Sequence, residues 1–286
     1  MNGNYTGGGQ ERAALMAAAL VVWSAGVCGA PRAASAEPVN RVMLAATVAP
    51  LDKELLAAAL RGDSEGVRAL LARGADVEAR DPARNTPLAW ASSSGDAATV
   101  GILLAKGARV NVCNEYGVTP LARAVSVDSI PIVRILLKHG ADPNVRDNAG
   151  RTVLMAAAEG GLADLIPVLR AAGADVEAVD DRGRTALIHA AMRDINLHAE
   201  CNTPPVRRRM TEETLAAARA LIAIGAPVSV RDKGGRTAAM WAERMKNTAL
   251  LPILSKPARA IAPAPRAARI TPRRRVLGTL RTAAPV

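Results

Sequence analysis

The chain of 286 residues contains no phenylalanine, and it has only two tyrosines and three tryptophans. Without phenylalanine, its core has to be assembled from leucine, valine, isoleucine and alanine, which are among the side chains most often buried. The many alanines have small side chains that let helices approach each other closely. The scarcity of aromatic residues therefore predicts an aliphatic and closely packed helical core.

Histidine is also scarce, and its three copies are scattered at His139, His189 and His198. Side-chain catalysis needs a nucleophile or an acid–base group oriented by a second group, and no such arrangement is visible in the sequence. The sequence also lacks a phosphate-binding loop, an HExxH motif and a paired-carboxylate signature. We therefore expect no enzymatic activity and no cofactor, and we interpret His189 as a packing residue between repeats.

Only three cysteines are present, and Cys28 lies in an apolar N-terminal segment. Cys113 and Cys201 fall in a link between repeats and in an insertion, and are too far apart in the repeat frame for a disulfide. We expect two free or buried thiols. Although His198 and Glu200 lie beside Cys201, their spacing matches no closed zinc motif, so we expect no metal site.

The sequence repeats itself with a period of 33 residues. Two series of positions show the period, namely Thr86, Thr119, Thr152 and Thr185, and Gly107, Gly140 and Gly173. Self-similarity at a fixed period in this range is typical of stacked repeat arrays. Such arrays usually bind other proteins and rarely catalyse reactions.

The second unit shows the local structure of a repeat most clearly. Thr86 can cap a helix, and Pro87 suits the first helical position, where its missing N–H costs nothing. Gly95 reverses the chain into a second helix, and Leu103 lies on the buried face of that helix. Gly107 then supplies the left-handed cap that ends it. The unit is predicted to be a helix, a turn, a second helix and an extended link.

These motifs resemble the ankyrin repeat family. The segment GADVEA, at 74–79 and again at 173–178, is similar to the end of the family pattern, and DNAGRT at 147–152 is similar to its opening. The resemblance covers residues 51–255 and implies an all-α ankyrin-repeat solenoid of about six helix-turn-helix units joined by hairpin links. The first helices of these units are expected to begin near Lys53, Thr86, Thr119, Thr152, Thr185 and Thr237.

The chain departs from the family pattern in three ways. Apolar residues replace the histidine that follows the Thr-Pro-Leu motif, namely Leu56, Ala89, Ala122, Met155, Ile188 and Met240. Arg84 stands where later units have a turn glycine, so we expect this turn to be strained or differently shaped. Pro167 and Pro252 fall in second helices, which should therefore start late or kink.

The resemblance implies that partners bind at the hairpin tips and the adjacent face of the first helices. The candidate partner-binding residues are Glu115, Tyr116, Asn148, Arg151, Arg182, Arg184, Arg193, Lys233 and Arg236. The tips become more basic toward the C-terminus and would form one continuous basic edge, which favours an acidic protein partner. Reversing Arg182 and Arg184 to glutamate is expected to weaken capture of that partner without much change in melting temperature.

The fifth unit carries an insertion, because Thr185 and Thr237 are 52 residues apart. About 19 extra residues fall near 194–212, between the two helices of the unit. Insertions in repeat arrays map to loops and often add function. We expect a loop outside the stack, and deletion of residues 196–209 should leave helical content unchanged.

The N-terminal segment indicates export. Residues 13–30 are apolar and alanine-rich, Arg12 precedes them, and ASA at 34–36 matches a signal-peptidase site. We predict a secretory signal peptide at 1–36, a mature chain beginning at Glu37, and a linker at 37–50. The protein would then be periplasmic or secreted, without a transmembrane span after cleavage. The alternative is an uncleaved membrane anchor.

The C-terminal segment 256–286 is rich in proline and alanine, and it has eight basic residues and no acid. It is predicted to be a disordered basic tail. Of the net charge of +11, the tail supplies +8 and segment 1–36 supplies +1, which leaves the rest of the chain close to neutral. A basic tail can bind nucleic acid, anionic lipid or an acidic protein, and export argues against nucleic acid.

Together these features predict a non-catalytic protein–protein interaction scaffold in a bacterial-type periplasm. A secreted effector that binds a host protein would use the same array. An accessory protein that protects a partner enzyme from oxidative stress is a further alternative, which the resemblance suggests and no residue selects. An enzyme or metal protein built around the insertion is the alternative from another class. The sequence leaves the oligomeric state open.

Overall fold

A computed structural model describes residues 49–193 and 204–255 of the chain, with side chains described from 208 onward in the second range. The predicted signal peptide at 1–36, almost all of the linker at 37–50 and the basic tail at 256–286 lie outside the described residues. Residues 194–203 of the insertion do so as well. What the sequence indicates for these segments stays a prediction.

All regular structure in the described ranges is helical. There are twelve α-helices and one short 3-10 helix at Thr248–Leu250. The α-helices are α1 (Pro50–Arg61), α2 (Ser64–Ala72), α3 (Pro87–Ser94), α4 (Ala97–Ala105), α5 (Pro120–Ser126), α6 (Ile130–Lys138), α7 (Val153–Gly160), α8 (Leu165–Ala171), α9 (Ala186–Met192), α10 (Pro204–Ala223), α11 (Ala238–Arg244) and α12 (Leu251–Leu254). None of those described is both long and apolar enough to span a bilayer.

The helices pair in chain order and stack in two layers. The first helices of successive units, α1, α3, α5, α7, α9 and α11, pack side by side in that order. Among the second helices, α2 packs against α4, α4 against α6, and α8 against α10. Each unit therefore contacts its neighbours in the chain, and the predicted all-α repeat solenoid is confirmed.

Threonine precedes the first helices of units two to six as the sequence indicates, and proline follows it in α3 and α5. The side chains of Thr86, Thr119, Thr185 and Thr237 each accept from the amide three residues further along. Thr152 is the exception, because its hydroxyl is buried without a hydrogen-bond partner. A threonine thus marks the start of the first helix in units two to six, and four of these five starts carry a side-chain cap. Helix α1 instead follows Ala49 and has no side-chain cap.

The core is aliphatic, as the lack of phenylalanine requires. Leucines at equivalent positions of the second helices, Leu103, Leu136, Leu169 and Leu221, are completely buried. The matching leucines of the first helices are buried as well, and they are Leu55, Leu88, Leu121, Leu154 and Leu187. Alanines at 0 % exposure, such as Ala91, Ala124 and Ala157, lie between them and keep the helices close.

The prolines in second helices shift where those helices begin. In the repeat frame α8 should begin at Ala163, the position of Ala97 in α4, but it begins at Leu165. This late start places Pro167 in the first turn, where no intrahelical N–H bond is required. Pro252 likewise stands at the second position of α12, after the short 3-10 helix.

The insertion is not a loop throughout, so that part of the prediction is wrong. Helix α10 begins at Pro204 and continues to Ala223, so residues 204–212 extend the second helix of the fifth unit. Proline suits the first helical positions, and Arg209 supports the extension by pairing with Glu213 one turn later at 3.1 Å. Deleting residues 196–209 would therefore remove the start of a helix.

The turn at Arg84 is strained in a way that a substitution can relieve. Arg84 has φ +63°, and the equivalent residues of the later units are glycines that also have positive φ. A side chain in this region costs roughly 1 kcal/mol, partly offset because glycine gains freedom in the unfolded chain. Arg84→Gly should therefore raise the melting temperature followed by circular dichroism. Arg84→Ala keeps the strain and should bring no gain; an equal gain would place the effect in the arginine side chain.

Candidate partner-binding surface

The hairpin tips of successive units are joined into one row by backbone hydrogen bonds. In each case an amide of one tip donates to a carbonyl of the tip before it. The pairs are Glu115 N to Ala83 O at 3.1 Å, Asn148 N to Tyr116 O at 3.1 Å, Asp181 N to Ala149 O at 3.1 Å, and Lys233 N to Arg182 O at 2.9 Å. The tips of units two to six therefore form a continuous ridge, and side chains on neighbouring tips lie next to each other.

Each of these hairpins is closed by one acidic or amide side chain at its base. The Oδ1 atoms of Asp147, Asp180 and Asp232 each accept two backbone amides of the tip, at 2.8–2.9 Å. Asn114 does the same in the third unit. Asp81, in the second unit, accepts the amide of Asn85 at 2.7 Å.

In three units the other carboxylate oxygen fixes a side chain of the first helix nine residues later. Trp90 Nε1 donates to Asp81 at 3.0 Å, and Trp241 Nε1 donates to Asp232 at 2.8 Å. His189 Nε2 lies 3.0 Å from Asp180 in the same way. Sequence reasoning missed this tie between hairpin and helix. The sequence signal for it was an aspartate of the hairpin followed nine residues later by a tryptophan or a histidine, a spacing that recurs in three units.

Three of the arginines proposed as tip residues are held by these same aspartates. Arg151 and Arg184 form ion pairs with Asp147 and Asp180 at 2.6 Å, and their side chains are only 21 % and 13 % exposed. Arg236 lies 3.6 Å from Asp232 and is 39 % exposed. The expectation that Arg151 and Arg184 form an exposed basic edge is wrong, because both turn back onto the base of their own hairpins.

Arg193 also has an intramolecular role. Its guanidinium pairs with Glu213 of α10 at 3.0 Å, and its side chain is 12 % exposed. The group lies directly over Gly161, where the Cβ of any other residue would collide with it. Arg193 therefore connects the fourth and fifth units across the turn between helices, and it is not the exposed residue that the sequence suggested.

The remaining candidates are exposed on the ridge. Glu115, Tyr116, Asn148, Arg182 and Lys233 are all solvent-accessible, and Tyr116 is 44 % exposed. Asn148 also donates from its side chain to the carbonyl of Glu115 at 2.8 Å, which adds a second link between these tips. The exposed ridge thus has an acidic and aromatic middle and a basic C-terminal end.

Arg123 forms a second polar contact between units, on the face of the first helices. Its guanidinium lies 4.6 Å from the ring centre of Trp90 and donates to Asn85 at 2.6 Å. Asn114 donates to the same Asn85 oxygen at 2.9 Å. Burial lowers the pKa of Arg123, and the charge of Asp81 partly opposes this shift. The contact makes part of this face rigid between the second and third units.

His189 bridges the fourth and fifth units. It is buried, with one ring nitrogen near Asp180 and the other 3.5 Å from Glu159 on α7. Burial lowers the pKa of His189, but hydrogen bonds to Asp180 and Glu159 outweigh it and raise the net pKa above 6.5, while Arg184 opposes them. Burial raises the pKa of Asp180, but the bonds from His189 and Arg184 lower it overall. This confirms His189 as a packing residue between units.

The described ranges contain no group of three or more acidic, histidine or cysteine side chains that could hold a metal. Cys113 is a free, exposed thiol. The three residues considered for a metal site, His198, Glu200 and Cys201, lie outside the described residues, so the prediction about them is untested.

A family model of ankyrin repeats, which contains three copies of the repeat, matches residues 55–147 of the chain. This match covers most of the first unit, the whole of the second and most of the third, and the count of six units stays a prediction. No match was found among the curated proteins.

The two arginines of the fifth hairpin should differ sharply in their effect on stability. Arg184→Glu places a second carboxylate beside Asp180, whose side chain is fully buried, so we expect a loss of about 3 kcal/mol in the free energy of unfolding. Arg182→Glu changes an exposed residue and should cost at most about 0.5 kcal/mol. Urea unfolding of both variants measures the difference, and equal losses would contradict the assignment.

Stability should also depend on pH through His189. Because its folded-state pKa is raised, its stabilising contribution is complete below the unfolded-state pKa near 6.5 and is lost as pH rises through the folded-state value. The free energy of unfolding of the wild type, minus that of His189→Gln, should therefore fall as the pH rises above about 6.5, the unfolded-state pKa. Urea unfolding across this range measures it. Parallel profiles of the two proteins would show that His189 does not titrate with folding.

Proposed function

Since this chain is an ankyrin repeat protein, we propose that it is a non-catalytic scaffold that binds a partner protein along its hairpin ridge and acts in the periplasm. Ankyrin repeats make a protein–protein interaction scaffold. The observation that carries the proposal is that some polar residues of the hairpins are paired within the fold, whereas others are exposed on the ridge.

The division is clearest in the fifth hairpin. Arg184 forms an ion pair with the buried Asp180, whereas Arg182 is exposed and has no ion-pair partner among the described residues. Tyr116 is an exposed aromatic on a tip whose backbone is fixed by bonds to both neighbours. Aromatic and arginine side chains presented on a rigid backbone are typical anchors of protein interfaces.

The compartment follows from the predicted signal peptide, and the absence of catalysis follows from the scattered histidines and the missing motifs. Export is also the reason to expect a protein partner rather than nucleic acid. The basic end of the ridge favours an acidic surface on that partner, because complementary charge speeds association and excludes partners of the wrong sign.

Site-specific crosslinking in living cells tests this function. A photo-crosslinking amino acid in place of Tyr116 should yield a discrete covalent adduct with one protein, because this position would lie within the interface. The adduct should be released by osmotic shock with the periplasmic fraction, and mass spectrometry should show that its chain begins at Glu37.

A matched control carries the crosslinker in place of Arg134, which is exposed on α6, in the layer of second helices. It should give little or none of the same adduct. Equal adducts at both positions would argue against the ridge as the binding site. An adduct found in the culture medium would instead support the secreted alternative.

A further inference from the structure

The sixth unit presents a mixed apolar and basic surface at the C-terminal end of the described array. Two guanidinium groups lie near the ring of Trp241, with Arg236 at 4.3 Å and Arg244 at 5.8 Å from its ring centre. Its indole nitrogen is occupied by Asp232, so the ring is fixed in orientation and only its apolar body is available. Arginine stacked on tryptophan is a stable, pre-oriented arrangement.

Met240 adds exposed apolar surface beside this stack. In the fourth and fifth units the equivalent residues, Met155 and Ile188, are about 1 % exposed because the next first helix covers them. Met240 belongs to the last first helix of the described array, and it is 43 % exposed. One helical turn separates it from Arg244, so the two side chains are neighbours on α11.

The basic end of the ridge continues this surface. The amide of Lys233 donates to the carbonyl of Arg182 at 2.9 Å, so these two cations lie on adjoining tips. Lys233 and Arg236 belong to the same hairpin, and Arg236 connects the ridge to Trp241. We call the surface formed by Arg182, Lys233, Arg236, Met240, Trp241 and Arg244 the unit-six patch.

Arg236 pairs with Asp232, but the other three cations of the unit-six patch are not neutralised by the fold. Arg182, Lys233 and Arg244 have no ion-pair partner among the described residues. Asp181, on the neighbouring tip, pairs with Arg146 at 3.7 Å, and Asp232 is buried beneath the hairpin. Glu243, exposed on α11, is the one carboxylate of that helix. The surface therefore offers three cations and an apolar centre to a ligand.

We propose that the unit-six patch binds an acidic peptide segment of the partner, with an aliphatic side chain on Met240 and Trp241 and flanking carboxylates on Arg182, Lys233 and Arg244. The proposal rests on the function proposed above and identifies the part of the scaffold that recognises charge. A folded acidic surface would reach the tips, but an extended segment can also contact α11 beside them.

A synthetic peptide, Ac-Glu-Glu-Glu-Leu-Glu-Glu-Glu-NH2, is the probe. Isothermal titration calorimetry with the full chain should detect binding at low salt. The peptide with lysine for every glutamate should not bind, and the peptide with serine for leucine should bind more weakly. Raising the salt from about 0.02 M to about 0.5 M should weaken binding. The charges are exposed, and above about 0.1 M salt their interactions are screened within about 10 Å or less.

The deciding comparison is between two double variants with the same change of net charge. Lys233→Glu with Arg244→Glu reverses two cations of the patch and should lower the affinity about tenfold at low salt. Arg134→Glu with Arg219→Glu reverses two exposed cations on α6 and α10, in the layer of second helices, and should change it about twofold or less. Unchanged urea midpoints should show that both variants remain folded.

A third variant tests the apolar centre. Met240→Ser should weaken binding of the leucine peptide and leave binding of its serine counterpart unchanged, because only the first pair loses an apolar contact. Equal weakening by the two charge-reversal pairs would overturn the proposal, since the peptide would then respond to overall charge, including that of residues 256–286. If the acidic peptide fails to bind the wild type, the patch proposal is overturned, while the adduct at Tyr116 still decides the scaffold function separately.

Discussion

The second to sixth units each depend on one acidic or amide group at the base of the hairpin. In the fifth and sixth units, Asp180 and Asp232 use one oxygen to close the tip and the other to hold a ring on the first helix. The same group therefore sets both the shape of the tip and its position relative to the helix layer. Because these carboxylates are buried, their hydrogen bonds and ion pairs are costly to lose, and the tips are rigid platforms.

This arrangement decides which charges can act on a partner. An arginine four residues after the buried aspartate, such as Arg184, lies within reach of that carboxylate and becomes part of the framework. An arginine at the apex, such as Arg182, points away from it and stays exposed. Residues of the same type two positions apart in sequence thus have different roles, and fewer of the tip arginines are available to a partner than the sequence suggests.

The position of a unit in the stack matters as much as its sequence. The residue three positions after the threonine that precedes each first helix is buried between units at Met155 and Ile188 but exposed at Met240, because no further first helix packs on α11 within the described residues. The fifth unit shows a second effect of context, since its insertion lengthens a helix instead of forming only a loop. Both features, the exposed Met240 and the lengthened helix α10, lie toward the C-terminal end of the array.

The sequence by itself determined the architecture. Its period of 33 residues, its capping threonines and its aliphatic helix faces depend on local chain geometry, so the helix pairs and their order could be read directly. The exposure of Glu115, Tyr116 and Lys233 was also predictable, because tip positions project from any such stack. Only the tertiary structure decided that Arg184 and Arg193 are internal. Their guanidinium groups pair with the carboxylates of Asp180 and Glu213 instead of pointing into solvent. A repeat pattern does not show which of these two directions a long side chain takes.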